Sequence, residues 1–282
     1  MSDEENKFPG ENNTGHFWDD DLRELDNEPP TWWTIGFHAS WIFVIIYTLL
    51  YPSWPGIETH FKGLLGWTAI GEYHDDMKSI KSVRAPFEDK IKDMSAADIL
   101  ADEKLSKYVI ASGKVLFGDN CAACHGTGGQ GNVSFPVLAD DDWLYGGSIT
   151  DIETSISNGR QGMMPGHAAM LDEAKIDSLA NSINDGKIME NPAYIETGCV
   201  GCHGPDGKGF PFMGSANLID GIYRFTASDQ LASIKHTIKF GVNDASNPET
   251  RNAVMPAFGS GKLTDIEIKK LAVYVHKLGG GQ

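Results

Sequence analysis

The 282-residue sequence is short of cysteine, of positive charge and of long hydrophobic runs. Its 23 lysines and arginines are outnumbered by 39 acidic residues, so the formal net charge is −16 and no nucleic-acid-binding surface is predicted. Only one run is long enough to cross a membrane, and the nine histidines form no cluster suited to copper. The chain is therefore expected to contain neither a copper centre nor an active site of its own.

All four cysteines lie in two copies of one motif, CAACH at residues 121–125 and CVGCH at residues 199–203. This pattern is typical of c-type haem attachment, in which both thiols bond to the haem and the histidine ligates its iron. Zinc ribbons have their cysteine pairs about 15–20 residues apart, whereas these begin 78 residues apart. A thioredoxin-like redox pair would need a βαβ context, and disulfides would not explain the repeated histidine. Two covalently bound haem c groups are predicted.

The single hydrophobic run, residues 32–51, contains no Asp, Glu, Lys or Arg. About 20 apolar residues in a helix match a hydrocarbon core of roughly 30 Å, so a transmembrane helix is predicted within residues 32–54. A cleaved signal peptide is not expected, because the preceding segment is acidic and no small-residue cleavage site follows. For His38, inside the run, a neutral side chain facing a partner helix is favoured over a functional ionisable group.

The haem motifs decide the expected orientation of this helix. Within 20 residues there is one basic residue on each side, Arg23 before the run and Lys62 after it. The positive-inside rule therefore favours neither orientation. Covalent haem is attached outside the bacterial cytoplasm. Residues 1–31 are therefore expected to be cytoplasmic, with their first dozen or so disordered. The haem-bearing segments are expected to be periplasmic, anchored by one pass through the inner membrane.

Beyond the membrane helix the sequence predicts a periplasmic connector, residues 55–102, and two haem domains, residues 103–186 and 187–282. Each domain has the order helix, haem motif, glycine-rich loop, helix, Met-Pro loop, helix, and the first helix of the second copy is shortened. The predicted fold is all-α, with one N-terminal transmembrane helix and two class I cytochrome c-type domains.

Local signals place several of these helices. Helical spacing over residues 86–117 predicts five inward side chains, namely Ile91, Ile99, Leu105, Val109 and Leu116. Capping boxes beginning at Thr150 and Thr264 predict two helix starts. Further helices are expected from about Thr226 and over about residues 172–184.

The two Met-Pro loops supply candidate sixth ligands for the irons. Met164 lies 39 residues after His125 and Met255 lies 52 residues after His203, each directly before a proline. A thioether ligand closes the iron and raises its reduction potential. For the first haem, three neighbours compete with Met164, namely Met163, His167 and Met170. For the second haem, Met213 is too near its own attachment motif to reach the far face. The sequence leaves open whether each loop serves the haem of its own repeat or of the other.

The sequence resembles the P subunit of cbb3-type cytochrome c oxidase, the di-haem FixP or CcoP subunit, along nearly its whole length. The resemblance rests on THG at residues 14–16, WD at 18–19, REL at 23–25, WW at 32–33 and YPSWP at 51–55. In the first haem domain it includes FPVL at 135–138 and WLYGG at 143–147. The second domain departs from the family pattern at IYRF, residues 222–225.

The resemblance implies a subunit that passes electrons from soluble cytochrome c toward the catalytic haem-copper subunit. It implies a mono-haem cytochrome subunit as a second partner, with membrane lipid around the helix. The implied cofactor-binding residues are Cys121, Cys124, His125, Met164, Cys199, Cys202, His203 and Met255, of which the histidines and methionines are iron ligands. Two alternatives stay open: a membrane-anchored di-haem shuttle for another acceptor, and a di-haem peroxidase, which needs an open sixth site.

Charge is unevenly distributed between the two predicted haem domains. Residues 103–186 carry eleven acidic and five basic side chains, whereas residues 187–282 carry nine and ten. Complementary charge mainly speeds encounter between electron-transfer partners. The first haem domain is therefore the predicted docking site for a basic soluble cytochrome c.

Overall fold

A computed structural model describes residue 8, residues 10–19 and residues 21–282 of the chain. The chain divides into two compact units, Met1–Val83 and Arg84–Gln282. The expectation of disorder falls largely on residues 1–7 and 9, which lie outside the described residues. The remainder is mostly helical, as predicted.

The segment before the membrane helix contains a small antiparallel sheet, formed by β1 (Asn13–Trp18) and β2 (Leu22–Leu25). Trp18 pairs with Leu22 across the turn, where Asp19 adopts a positive φ of 53°. Aspartate tolerates this region better than most residues. The sequence analysis predicted no strand here, because acidic residues dominate and the apolar alternation is too short to stand out.

Helix α1 (Thr31–Leu50) confirms the predicted hydrophobic helix. It begins after Pro30 and ends at Tyr51, whose position before Pro52 disfavours helical backbone. None of its residues is buried within the chain, and within the described residues it is the one helix long and apolar enough to cross a membrane. A helix that exposes large apolar side chains all round is suited to lipid rather than water.

Ten more α-helices and one 3-10 turn occur in residues 51–282. The helices are α2 (Ala69–Asp93), α3 (Ala96–Ala101), α4 (Glu103–Asn120), α5 (Ala122–His125), α6 (Ile149–Asn158), α7 (Glu173–Asn184), α8 (Pro192–Glu196), α9 (Val200–His203), α10 (Gln230–Phe240) and α11 (Asp265–His276). The 3-10 turn is Ile188–Glu190. The connector at residues 55–102 therefore contains two helices, and α2 crosses the boundary between the two units.

The first helical group, as we define it, consists of α3, α4, α5, α6 and α11. Its core joins Phe117 of α4, Ile152 and Ile156 of α6, and the buried face of α11, including Leu271. Helices α4 and α11 pack closely because Gly113 leaves room: a Cβ there would lie 2.8 Å from the Lys270 carbonyl oxygen.

The inward face predicted over residues 86–117 is confirmed. Ile91, Ile99, Leu105 and Val109 are at most 3% exposed, and Leu116 packs half-buried against the neighbouring core. The same region carries an ionic contact, in which Lys270 of α11 and the Tyr108 hydroxyl both donate to the Glu88 carboxylate. These contacts attach the end of α2 to the first helical group.

The second helical group consists of α7, α8, α9 and α10. Its core is built from Ile176 and Leu179 of α7, Ile188, Tyr194 of α8, and Ile234 of α10. The tandem repeats thus do not pack as two contiguous segments: α7, from the end of the first repeat, joins the second group, and α11 joins the first. Helix α8 has only five residues, too few to cover a helix as long as α11, whereas α4 has 18.

The four predicted helix starts have different outcomes. Thr264 caps α11 in the predicted capping box with Glu267, and Asp172 caps α7 at the predicted position. The start at Thr150 is wrong, because Ser148 lies two residues earlier and accepts the hydrogen bond from the Asp151 backbone N–H. The start predicted near Thr226 is too early by about three residues, because α10 begins after its cap residue, Asp229.

Candidate haem sites

The first haem motif forms the short helix α5, which begins directly after α4 ends at the motif's first cysteine, Cys121. Gly126 then reverses the chain with a φ of +77°, a value that favours glycine. The returning loop is fixed to the motif, because the Gly131 N–H donates to the His125 carbonyl at 2.8 Å. The His125 ring Nδ1 lies 3.0 Å from the Pro136 carbonyl oxygen.

The second motif repeats this geometry in α9. Gly204 has a φ of +81°, and the Gly209 N–H donates to the His203 carbonyl at 2.8 Å. The His203 ring Nδ1 lies 2.9 Å from the Ala216 carbonyl oxygen. The Ser215 hydroxyl additionally donates to the Cys202 carbonyl at 2.6 Å.

These contacts prepare both histidines to ligate iron through one nitrogen. When Nδ1 carries the proton and donates to a carbonyl, Nε2 keeps its lone pair and the ring orientation is fixed. Burial lowers the pKa of His125 and of His203, which favours the neutral imidazole that a metal needs. None of the four cysteines is paired in a disulfide, so both sulfurs of each motif are available for bonds to haem. Both motifs therefore fit covalent haem.

A cavity of about 280 Å³ lies in the second helical group beside the second motif. Cys199, Cys202 and His203 line it on the motif side, and Met164 and His167 line it from the first Met-Pro loop. The rest of the lining is largely apolar, as expected for a pocket that receives a macrocycle. The His167 ring Nδ1 is buried without a hydrogen-bond partner among the described residues.

The competitors of Met164 differ in exposure. Met163 and Met170 are each 69% exposed, whereas Met164 and His167 are half-buried. Met213 also borders the cavity, at 42% exposure. Exposure therefore disfavours Met163 and Met170 as ligands and leaves Met164 and His167.

Met255 lies in the other group. It packs, partly buried, against the core that contains Phe117, and Cys121 of the first motif packs against the same core. The structure therefore brings each Met-Pro loop to the haem motif of the other repeat: Met164 to the second motif and Met255 to the first. The sequence left this arrangement open, because both repeats carry the same local signals.

Matching backbone contacts hold the two loops. Met255 and Arg160 exchange backbone hydrogen bonds of 2.8 and 2.9 Å after α6 ends, and Met164 and Val242 exchange two of 2.9 Å after α10 ends. A glycine precedes each partner, Gly159 with a φ of +69° and Gly241 with a φ of +74°. A Cβ at either glycine would clash with the backbone of the facing Met-Pro loop.

Asn243 joins the two crossing segments and was missed by the sequence analysis. Its Nδ2 donates to the Gly162 carbonyl at 2.6 Å and to the Ala253 carbonyl at 3.0 Å, while its Oδ1 accepts from the Ala253 N–H at 2.9 Å. Its φ of +51° is one of three positive values at non-glycine residues in the described chain. Nothing in the local sequence distinguishes it from an ordinary loop asparagine.

Known protein families match most of this chain. A sequence family described as the N-terminal domain of cytochrome oxidase-cbb3, FixP, matches residues 10–58, and one described as cytochrome c oxidase, cbb3-type, subunit III matches residues 109–181. A cytochrome c family matches residues 192–279. The FixP subunit of Azorhizobium caulinodans is 37% identical over 97% of this chain and 94% of its own length. The CcoP subunit of Cereibacter sphaeroides is 33% identical over 97% of both chains.

The chain belongs to the FixP/CcoP family of cbb3-type cytochrome c oxidase subunits. Its two cytochrome c regions each contain one of the Cys-x-x-Cys-His motifs, so its cofactors are two covalently bound haem c groups. Membership implies a complex with other oxidase subunits. The N-terminal apolar helix, inside the region that matches the FixP N-terminal domain, fits a membrane-anchored protein.

Proposed function

We propose that this FixP/CcoP-type subunit accepts electrons from a soluble cytochrome c and passes them through its two haems toward the oxygen-reducing haem-copper subunit. The observation that carries the proposal is the placement of one methionine loop near each haem motif: Met164 shares a cavity with His203, and Met255 packs against the same core as Cys121. A haem iron with histidine and methionine on its two faces exchanges electrons and leaves no open position for substrate.

We propose a crossed ligand set. His203 and Met164 would ligate the haem held by Cys199 and Cys202, and His125 and Met255 would ligate the haem held by Cys121 and Cys124. The matched backbone pairs at Arg160 and Val242 support the crossing, because they fix each loop to the helical group of the other repeat. His167 is the alternative ligand in the second cavity, since it is half-buried and lines the same space.

The chain's own residues contribute position and electrostatics to electron transfer. The Pro136 and Ala216 carbonyls orient the two imidazoles, and the apolar walls of the second cavity exclude water. A rigid, dry, six-coordinate site reorganises little when its charge changes, which suits electron exchange. Bound haem supplies the electron-accepting iron itself.

We place the N-terminal segment in the cytoplasm and the two haem-bearing groups in the periplasm of a bacterial inner membrane. The support is chemical, since covalent haem attachment occurs outside the cytoplasm. Fusing a reporter that is active only in the periplasm to Gln282, and separately to the N-terminus, tests this orientation. Activity at Gln282 alone is expected, and activity at the N-terminus alone would contradict it.

The function is tested by gentle detergent extraction through an affinity tag on this chain. We expect a large subunit containing haem b and copper, together with a mono-haem cytochrome subunit, to be retained. The purified complex should oxidise reduced soluble cytochrome c in the presence of oxygen. If this chain purifies alone from oxidase-expressing cells and still reduces another membrane acceptor, the free-shuttle alternative is correct.

The peroxidase alternative is tested on the same preparation. If methionine occupies the sixth position of both irons, carbon monoxide should bind slowly and incompletely, and hydrogen peroxide should not be turned over. Rapid carbon monoxide binding at this chain's haems, with peroxide turnover, would instead indicate an open iron and contradict the closed-site proposal.

A further inference from the structure

The hairpin formed by β1 and β2 has one face that its own residues cover. Phe17 lies opposite Arg23 on this face, and both side chains are half-buried. The Arg23 guanidinium lies over the Phe8 ring, 4.3 Å from its centroid, and donates a hydrogen bond of 2.7 Å to the Glu11 carboxylate. We call this the covered face of the hairpin.

The opposite face, which we call the open face, exposes two large apolar side chains. Trp18 lies opposite Leu22 beside the turn, and the two are 56% and 58% exposed. Successive side chains of a strand point to opposite faces, so both point away from the covered face. No residue in the described part of the hairpin is fully buried. Because a two-stranded hairpin alone is at best marginally stable in water, burial of the open face against a partner would stabilise it.

The charge around the open face indicates what kind of surface can cover it. Residues 10–30 contain seven acidic side chains and one basic side chain, Arg23, so their formal charge is −6. Arg23 is already paired with Glu11, while Asp19 and Asp21 neighbour Trp18 and Leu22 in the sequence. Anionic lipid headgroups would repel this charge. A complementary surface must therefore offer positive charge around an apolar recess.

The connection to α1 keeps the hairpin close to the membrane surface. Five residues, 26–30, separate β2 from α1, and a connection of this length spans roughly 20 Å at most. The cytoplasmic loops of membrane proteins carry an excess of Lys and Arg. A neighbouring multi-span subunit therefore presents the required charge within reach of the hairpin, on the side of the membrane where we place the N-terminal segment.

We propose that the open face docks onto Lys- and Arg-rich cytoplasmic loops of a neighbouring multi-span subunit of the same oxidase, with Trp18 and Leu22 entering an apolar recess there. Tryptophan is enriched among the residues that dominate interface energies, because it buries a large and rigid surface. The surrounding carboxylates speed encounter and select a basic partner. The proposal rests on the cytoplasmic placement of the N-terminal segment proposed above.

Photo-crosslinking tests the docking in membranes of cells that assemble the oxidase. The full chain carries benzoylphenylalanine either at Leu22 or, as the matched control, at Leu25. Leu25 is a leucine of the same strand and is 51% exposed, but it lies three residues on and so points to the covered face. The Leu22 probe should crosslink to a basic cytoplasmic loop of another oxidase subunit, and the Leu25 probe should not.

Serine substitutions at the same two positions measure the apolar contribution. Leu22→Ser should raise the ratio of dissociated to bound partner subunit about fivefold after detergent extraction, the scale of a truncation within a packed interface. Leu25→Ser removes the same side chain from the covered face and should leave that ratio unchanged.

Asparagine substitutions measure the contribution of charge. Asp19→Asn combined with Asp21→Asn should weaken retention of the partner and flatten its dependence on salt. Asparagine tolerates the positive φ of residue 19, so the turn is kept. Asp75→Asn combined with Asp76→Asn is the control, because it removes the same charge from exposed positions of α2, and should change neither quantity.

Crosslinks from the Leu22 probe to lipid alone, or equal yields from the Leu22 and Leu25 probes, overturn the docking proposal. A crosslink to a periplasmic loop overturns it together with the proposed orientation. Electron transfer is judged separately: the hairpin contains none of the proposed haem ligands, so cytochrome c oxidation per assembled complex should be unchanged in Leu22→Ser. Absence of that oxidation in a complex that still gives the Leu22 crosslink would contradict the proposed function and support the docking.

Discussion

Replacing Gly241 by alanine should disturb the second haem site through the backbone. Gly241 ends α10 with a φ of +74°, and an added Cβ would clash with the Met164 carbonyl oxygen and lie 2.7 Å from the Gly166 nitrogen. All of the nearest atoms belong to backbone, so the Met164 loop must move. A φ of +74° with a ψ of −171° is nearly confined to glycine and costs a residue with a Cβ about 1–3 kcal/mol, and forced displacement of a packed segment adds roughly 1–3 kcal/mol.

Gly221 provides a matched control. Its φ is +72°, but a Cβ there would meet nothing within 4 Å. Gly221→Ala should therefore lower the free energy of unfolding by about 1–2 kcal/mol, and Gly241→Ala by about 2–6 kcal/mol once the displacement is included. Urea unfolding of the detergent-solubilised chain, followed by helical circular dichroism, measures both.

The spectroscopic readout distinguishes a ligand effect from general destabilisation. In the oxidised protein, the methionine-sulfur-to-iron charge-transfer band should weaken in Gly241→Ala and keep its wild-type strength in Gly221→Ala. If the two variants are equally destabilised and both bands are unchanged, the Met164 loop does not depend on its contact with Gly241, and our reasoning about the loop is refuted.

Three further predictions concern charge. Glu88→Gln leaves Lys270 without its anion and should lower the free energy of unfolding by about 3 kcal/mol. Burial opposes ionisation of Glu88, but hydrogen bonds from Lys270 and Tyr108 outweigh it and lower its pKa. The wild-type advantage should therefore be complete above about pH 4.3 and shrink as pH falls below it, which urea unfolding at several pH values measures. Burial, together with the neighbouring Asp220, raises the pKa of Asp142 to about 6. As the pH rises from about 4 to about 6, wild type should therefore lose stability relative to Asp142→Asn, because the folded state resists losing the Asp142 proton. Equal pH profiles in the same unfolding assay would contradict this. Finally, if the acid-rich residues 103–186 attract a basic cytochrome c, its oxidation rate should fall steeply between low and physiological salt; a rate independent of salt would remove this docking site.

Local sequence signals predicted the parts of the molecule that depend on a few neighbouring residues. The two haem motifs, the uncharged run around α1 and the capping box at Thr264 each need only a short segment, and the structure contains all three. The cap at Thr150 was misplaced because Ser148 offers the same hydroxyl acceptor two residues earlier. Such competition between adjacent caps is decided by backbone geometry that the sequence does not display.

The crossing of the repeats could not be predicted in this way. Both repeats carry the same order of elements, so either helix, α7 or α11, satisfies the local pattern for covering either haem motif. The choice depends on long-range packing: Gly113 admits α11 against α4, and the five-residue α8 cannot replace α4. The run IYRF at residues 222–225 was visible as a departure from the family pattern, but the hydrogen bond from Arg224 to the Ser134 carbonyl required the structure.

Single-haem variants report which methionine ligates which iron. Cys199→Ala combined with Cys202→Ala should leave one haem, held by Cys121 and Cys124, with its methionine-to-iron charge-transfer band intact. Adding Met255→Ala to that background should abolish the band, and adding Met164→Ala should leave it unchanged. The crossed arrangement would be contradicted by the reverse result, loss of the band with Met164→Ala and its persistence with Met255→Ala.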